Sequence, residues 1–195
     1  MITLFNWLVI AVWLIWFVLY WGPEIRVMRD VRETLLKASN SRLDQILVIG
    51  LSLAILALFF VALMVTLGAA ALPQHEAAGA AGVIVAAGGL AGAFYARRFL
   101  GRFWTAVTTV QRDHLVVDKG PYGWVRHPIY TATLAMYLGT TLAFPSAGTA
   151  LLLLALTVLY SLKALDEERF LTAQLGAAYT DYCQRVRYRL VPGIW

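Results

Sequence analysis

Charged residues are scarce in this sequence, and their scarcity excludes a soluble globule of ordinary composition. Only 14% of the 195 residues are charged, whereas 61% are hydrophobic, and the mean hydropathy is +0.71. Soluble domains carry about a quarter charged residues, so we expect most of this chain to lie in a lipid environment. Cysteine is scarcer still, because the single thiol of Cys183 excludes an internal disulfide. These two shortages predict an integral membrane protein without a covalent cross-link.

Two familiar sequence signals are also missing. The first apolar run begins at residue 2 without a basic segment or a small-residue cleavage site, so no cleaved signal peptide is expected. A complete dinucleotide-binding loop is absent as well. Gly88 and Gly92 lie four residues apart inside an apolar run, with no strand before them. That spacing predicts the close packing of two membrane helices instead.

Five apolar runs predict five membrane-spanning helices, and therefore an all-α polytopic bundle that ends in a helical hairpin. The runs cover residues 2–21, 46–72, 77–96, 129–144 and 147–165. A bilayer-crossing helix needs about 20 apolar residues, so the short fourth run is expected to lie partly inside the protein. Between the first two runs, residues 24–37 carry apolar positions at helical spacing. They predict an amphipathic helix on the membrane surface.

Basic residues are lacking in two of the connections, and this absence gives an orientation. Five basic residues follow the first run, six follow the third and five follow the fifth, whereas the other two turns have none. The positive-inside rule then places the N-terminus outside and the C-terminal tail in the cytoplasm. The same segregation explains the net charge of +5 by membrane topology, and no nucleic-acid partner is expected.

Residues able to carry chemistry concentrate in residues 120–130, which read Gly-Pro-Tyr-Gly-Trp-Val-Arg-His-Pro-Ile-Tyr. The first four predict a turn, and Pro128 suits the first turn of a helix, where its missing N–H costs nothing. Arg126 and His127 would then lie at a helix N-terminus, which attracts anions. We expect a pocket for an anionic group at the edge of the membrane.

A second charged group follows the fifth run. Asp166, Glu167 and Glu168 are consecutive, and on composition alone they indicate a solvated helix start, where acidic side chains are favoured. If the last two runs form a hairpin, the carboxylates return to the face that holds Arg126 and His127. The opposite charges would then form a pocket for a zwitterion.

The tail predicts a further short helix. Gly176 is expected to cap the preceding helix, and Tyr179, Tyr182 and Val186 fall on one face of the next. Arg185 and two more arginines follow. Composition alone favours an aromatic face on the membrane surface, with the arginines at phospholipid headgroups.

Taken together, these motifs resemble the isoprenylcysteine carboxyl methyltransferase family, in particular its bacterial and archaeal members. The matching segments are Gly120-Pro121-Tyr122, Arg126-His127-Pro128-Ile129-Tyr130, Glu167-Glu168-Arg169-Phe170-Leu171 and Gly176-x-x-Tyr179-x-x-Tyr182. They lie between residues 116 and 192, about 40% of the chain. Members often carry a glycine two residues after the tyrosine of the second motif, where this chain has Ala132. We expect that change to alter the packing of the fourth span.

The resemblance implies a methyltransferase of the bacterial inner membrane that uses S-adenosylmethionine on its cytoplasmic side. It divides the chain into a three-span region, residues 1–115, and a catalytic region, residues 116–195. No metal is expected. Arg126, Glu168 and Arg185 are implied as catalytic, the arginines for a carboxylate of the substrate or the cofactor. The implied cofactor-binding residues are Val117, Gly120, Pro121, Tyr122, His127, Pro128, Tyr130, Glu167, Glu168, Tyr179 and Tyr182.

The implied reaction is nucleophilic displacement at the sulfonium methyl group, which demands alignment and desolvation more than a strong base. The partner would be a lipophilic small molecule or a lipidated substrate delivered by membrane lipid. A carboxylate is the first expectation, with a lipid or a thiol as alternatives. The sequence leaves the oligomeric state open.

Two other classes compete with this interpretation. The tail is also similar to the ending of membrane sterol reductases, which use NADPH and usually carry asparagine before the motif tyrosine and aspartate after it. This chain has Ile129 before that tyrosine and Thr133 nearby. A non-enzymatic membrane protein, such as a transporter subunit, would carry ionisable residues inside its spans. We expect essentially none in the five apolar runs.

Overall fold

The computed structural model describes residues 2–21, 35–39, 41–73, 75–105 and 108–195. Within these ranges the helices are α1 (Ile2–Ile15), α2 (Arg42–Thr66), α3 (Glu76–Leu100), α4 (Pro128–Ala143), α5 (Ala147–Leu175) and α6 (Ala177–Arg185). A π-helical segment, Trp16–Trp21, extends α1, and 3-10 turns cover Gly101–Phe103 and Gly120–Gly123. Two short strands, β1 (Leu35–Ala38) and β2 (Thr109–Gln111), pair antiparallel.

All five predicted apolar runs form helices, and three of them, α2, α3 and α5, are long and apolar enough to cross a membrane. The apolar part of the first helix, Leu4–Val18, is shorter. The 16 residues of α4 extend about 24 Å, less than the roughly 30 Å hydrocarbon core of a bilayer. The mostly helical fold is confirmed, whereas the crossing of a membrane by all five helices stays a prediction.

Helices α3 and α4 pack backbone to backbone. A Cβ atom added to Gly139 would lie 2.3 Å from the backbone nitrogen of Ala86, and one added to Gly89 would lie 2.4 Å from that of Met136. No side chain fits at such distances. In a lipid environment helices associate through close packing and hydrogen bonds rather than through the hydrophobic effect. This contact fixes α4 against α3, and the second family motif leads into α4.

Close packing of α3 was predicted at Gly88 and Gly92, and the structure corrects the residues. A Cβ on Gly88 would meet nothing within 4 Å, and one on Gly92 would touch only the Cβ of Ala132, at 3.2 Å. The contact face is instead built on Gly82, Ala86 and Gly89, whose spacing of four and three follows the helical period. The alanine at position 132 is accommodated because a glycine lies opposite it.

Trp13 joins α1 to α4 in the middle of the bundle. Its side chain is fully buried, and its indole N–H donates to Thr140 Oγ1 at 3.1 Å. Its ring stacks on Tyr137, with centroids 5.5 Å apart. A buried indole needs such an acceptor, because an unpaired N–H is costly where water cannot reach it.

The last two helices form the predicted hairpin. Ser146 and Thr149 make a capping box at the start of α5, which then continues without interruption to Leu175. The acidic residues 166–168 therefore lie inside a helix, and their interpretation as a helix start is wrong. Gly176 ends α5 at φ 59°, which confirms the predicted cap, since glycine tolerates positive φ.

The two strands add a feature that an all-α prediction omits. The Ser39 N–H also donates to the Thr108 carbonyl at 2.7 Å, which extends the pairing. Backbone groups in buried connections need partners, and strand pairing supplies them. The amphipathic helix predicted over residues 24–37 lies outside the described residues except for residues 35–37, which belong to β1. The pairing brings Thr108 to the site described next.

Candidate active site

The carboxylate of Glu168 on α5 is enclosed by three basic side chains. Arg126 donates from Nε to Oε1 at 2.7 Å and from Nη2 to Oε2 at 3.3 Å. The Nε2 atom of His127 lies 3.2 Å from Oε1, and Arg189 donates to Oε2 at 3.0 Å. Both Arg126 and Glu168 are buried. The predicted approach of an acidic residue to Arg126 and His127 is therefore made by Glu168.

Arg126 also holds the C-terminal tail against the bundle. Its Nη1 atom donates to three tail carbonyls, those of Cys183, Val186 and Arg187, at 3.4, 2.8 and 3.0 Å. The backbone N–H groups of Arg126 and His127 donate to the carbonyls of Tyr188 and Arg189, both at 2.9 Å. All three guanidinium nitrogens thus have acceptors within the protein. Clamping a substrate carboxylate would compete with these bonds, and the catalytic role implied for Arg126 stays a prediction.

A cavity with an empty volume of about 870 Å³, including the solvent at its mouth, opens beside this network. The end of α3, β2, the loop before the 3-10 turn, the start of α4, α5 and α6 all border it. Leu115, Val116, Val117 and Leu171 contribute to an apolar wall. Helix α5 adds one basic and one acidic side chain, Lys163 and Glu167, to the lining of the cavity. The cavity draws residues from both sides of the predicted boundary at residue 115.

Side chains on one face of α5 line the cavity, and their charge changes along the helix. Lys163, Glu167, Leu171 and Leu175 all line it, and they are spaced four residues apart. Each step advances about 6 Å along a helix and keeps the side chain on the same face. The lining of the cavity along α5 therefore changes from a cation to an anion and then to apolar side chains.

Glu167 presents a carboxylate oxygen to this space. The Tyr130 hydroxyl donates to Glu167 Oε2 at 2.5 Å, and the Tyr130 ring stacks on His127 with centroids 5.2 Å apart and planes 6° apart. Among the described residues, Glu167 Oε1 has no hydrogen-bond donor. Tyr130 thereby fixes the side chain of Glu167 and leaves one oxygen able to accept from a ligand.

Lys163 is the functional candidate that sequence reasoning missed. Its Nζ atom donates to Asp44 Oδ1 and to Thr108 Oγ1, both at 2.5 Å, and both ends of the ion pair are 3% exposed. Contrary to the prediction, Lys163 is not one of the basic residues that follow the fifth apolar run, because it lies inside that run, residues 147–165. The expectation that the apolar runs hold essentially no ionisable residue is wrong, since Lys163 lies in the fifth run, where the buried carboxylate of Asp44 compensates its charge. A lone lysine in an apolar run was the available signal.

The tail tyrosines face inward rather than towards a membrane surface. Tyr179, Tyr182 and Val186 form a buried cluster, and the Tyr182 hydroxyl donates to the Tyr122 carbonyl at 2.9 Å. Burial raises the pKa of the Tyr179 hydroxyl and that of the Tyr182 hydroxyl well above their usual range. Both side chains therefore line the cavity as neutral hydrogen-bonding groups.

His114 lies at the edge of the same cavity. Burial and, after it, the positive charge of Arg102 lower the pKa of its imidazole, while Glu167 acts in the opposite direction. A lowered pKa favours the neutral ring at neutral pH. The ring also lies against Phe103, with centroids 4.5 Å apart. His114 therefore contributes a polar but uncharged edge to the site.

Most of the residues implied by the resemblance converge on the cavity. Its lining includes Val117, Tyr122, Arg126, His127, Tyr130, Glu167, Tyr179 and Tyr182. Glu168, Pro121 and Pro128 are not part of the lining, and Glu168 is connected to it through Arg126 and His127. Gly120 also stands behind the wall, where its φ of 59° and a Cβ position only 2.3 Å from the Phe99 ring require glycine.

Arg185 is separated from the cavity lining. It pairs with Asp118 at 3.0 Å, and its side chain is 59% exposed. Arg185 lines a neighbouring groove that shares His114, Leu115, Val116 and Leu175 with the cavity, and its assigned catalytic role stays a prediction. Within the described ranges, no group of three His, Cys, Asp or Glu side chains is placed to hold a metal ion.

Comparison with known proteins adds a family. The model of the phospholipid methyltransferase family matches residues 77–178, just over half of the chain. The chain is 34% identical over 76 residues to a protein-S-isoprenylcysteine O-methyltransferase of Schizosaccharomyces pombe, a match that covers 38% of this chain and 32% of the relative. It is 34% identical over 88 residues to the cobalt-zinc-cadmium resistance protein CzcN of Cupriavidus metallidurans, covering 44% and 40%. The matches span less than half the length of either relative.

Proposed function

Because this chain belongs to the phospholipid methyltransferase family, we propose that its cavity binds S-adenosylmethionine and that it methylates a lipophilic acceptor delivered by the membrane. The first relative is named an isoprenylcysteine O-methyltransferase, in agreement with the family resemblance of the sequence motifs. That name supports a carboxylate as the acceptor group. We further propose the cytoplasmic face of a bacterial inner membrane for the site, in line with the distribution of basic residues.

The observation that carries the proposal is the position of Glu167. Its carboxylate lines the cavity, Tyr130 holds one of its oxygens at 2.5 Å, and the other has no donor among the described residues. A carboxylate placed in this way fits the ammonium group of a methionine moiety, because charge-assisted hydrogen bonds are about twice as strong as neutral ones. Leu115, Val116 and Val117 offer the apolar surface that an adenine ring requires.

S-adenosylmethionine, when bound, would supply a methyl group on a positively charged sulfur. The protein's own residues then have three tasks. Glu167 and Tyr130 orient the donor, the apolar wall excludes water, and the Arg126 network keeps the tail closed over the cavity. Excluding water strengthens the electrostatic interactions inside the site. No side chain has to act as a strong base, since a carboxylate acceptor is already ionised at neutral pH.

The proposal is tested by titration calorimetry on the detergent-purified protein. We expect S-adenosylmethionine to bind the wild type and to bind Glu167→Gln about 10- to 100-fold more weakly, because a hydrogen bond to a charged group contributes about 1.5–3 kcal/mol. Glu76→Gln is the matched control, since Glu76 lies at the opposite end of α3.

Two outcomes would contradict the proposal. Equal affinity of the wild type and Glu167→Gln for S-adenosylmethionine would remove Glu167 from the binding site. Binding of NADPH in place of S-adenosylmethionine would favour the reductase alternative. The control variant must retain wild-type affinity for the comparison to count in favour of the assignment.

A further inference from the structure

Lys163 is a buried cation whose hydrogen-bonding capacity is not used up by the described residues. An ammonium group has three N–H donors, and two of them reach Asp44 and Thr108. The third has no acceptor among the described residues, although Lys163 lines the cavity. The hydroxyl of Thr108 accepts from Lys163, so its own hydrogen is available as a second donor.

The charged group that lines the cavity beside Thr108 is the positive ammonium of Lys163. Asp44 balances Lys163 and makes its burial tolerable, but Asp44 does not line the cavity, whereas Lys163 and Thr108 do. A ligand therefore approaches an ammonium and a hydroxyl with the compensating carboxylate behind them. Two convergent donors with a positive charge suit a carboxylate and disfavour an amine.

The position of Lys163 along α5 separates this end from the mouth. It lies one helical turn from Glu167, or about 6 Å, on the side away from Leu171 and Leu175. Its partner Asp44 is in the first turn of α2, where the chain enters a long apolar helix. The Lys163 end is therefore the bilayer side of the cavity.

We propose that Lys163 and Thr108 form a subsite that binds one carboxylate group of a ligand. The inference rests on the proposed function for the identity of that ligand, since both S-adenosylmethionine and a carboxylate acceptor carry such a group. The bilayer-side position favours the acceptor. Glu167 then binds the cationic group of the donor, and the two charges on one face of α5 hold donor and acceptor a helical turn apart.

The test compares ligand pairs that differ only in the carboxylate. One arm measures binding of S-adenosylmethionine and of its decarboxylated form, and the other measures binding of N-acetyl-S-farnesylcysteine and of its carboxamide. We expect the wild type to prefer the carboxylate in one of the pairs by about tenfold or more. Thr108→Val should reduce that preference, because one of the two donors is lost, and Asp44→Asn/Lys163→Gln should abolish it. The pair that responds identifies the source of the carboxylate.

The variants are chosen so that the result is not confused with misfolding. Lys163→Gln alone leaves Asp44 as an unpaired buried charge, whereas the double variant keeps a neutral hydrogen-bonding pair. Thr108→Val keeps both shape and ion pair, and Thr157→Val, an exposed position on α5 with only a bond to its own helix, is the matched control. Unchanged preference in both variants, or no preference in the wild type for either pair, overturns the subsite. Because the acceptor arm measures binding without the donor, a failure of the proposed cofactor would be seen separately.

Discussion

Replacing Arg126 by methionine removes the guanidinium that joins α4, α5 and the tail. Methionine fills similar apolar space but leaves Glu168 without its bidentate partner and three tail carbonyls without a donor. Breaking a buried ion pair on one side costs about 3–5 kcal/mol. Because 1.4 kcal/mol corresponds to a factor of ten, a loss of about 4 kcal/mol raises the population of the undocked tail roughly 1,000-fold.

Hydrogen exchange at two backbone positions measures this undocking. The N–H groups of Arg126 and His127 donate to tail carbonyls, so their exchange reports tail release. We expect exchange at positions 126 and 127 to rise by about the same factor in Arg126→Met, while amides in the middle of α2 stay protected. Arg126→Lys keeps a charge but loses the bidentate geometry, and should fall between the two. Wild-type protection in Arg126→Met would refute the tail-holding role.

Three further predictions test other parts of the account. Gly139→Ala should lower the thermal denaturation temperature strongly, because overpacking against Ala86 costs about 1–3 kcal/mol or more, whereas Gly88→Ala should leave it unchanged; equal effects would refute the backbone contact. Tyr130→Phe should weaken S-adenosylmethionine binding by about tenfold or more in calorimetry, since a hydrogen bond to an ionised carboxylate contributes about 1.5–3 kcal/mol, and unchanged affinity would count against its role in holding Glu167. The pKa of His114 is lowered in the folded state, so its neutral form contributes stability above about pH 6.5, and this stability is lost as the pH falls through the folded-state pKa. His114→Gln should therefore make the denaturation midpoint fall less steeply with decreasing pH. An unaltered slope of the midpoint against pH would contradict this role of His114.

The sequence predicted the helices well because long apolar runs identify membrane helices. It also predicted the hairpin and the cap at Gly176, since each depends on local chemistry. It placed the helix crossing at Gly88 and Gly92, of which only Gly92 contacts α4, because glycines such as Gly88 and Gly82 look alike in sequence. Which face of α3 meets α4 is decided by the tertiary packing of α4.

The sequence predicted which residues form the candidate site better than it predicted what each of them does there. The predicted hairpin placed an acidic residue of the Glu167–Glu168 pair near Arg126 and His127. It could not show that Arg126 also donates hydrogen bonds to three carbonyls of the tail. The Asp44 partner of Lys163 lies 119 residues away in the chain, so no local pattern links them. Contacts of such sequence separation follow only from the assembled bundle.

The most direct test of the central claim is the transfer of a labelled methyl group from S-adenosylmethionine to membrane lipid extracts by the purified protein. We expect label in the organic phase with the wild type and with Glu76→Gln, and at least a tenfold lower rate with Glu167→Gln. Base treatment should release the label if the product is a carboxyl methyl ester. A wild-type protein that transfers no label, or a Glu167→Gln variant that transfers it at the wild-type rate, would contradict the account.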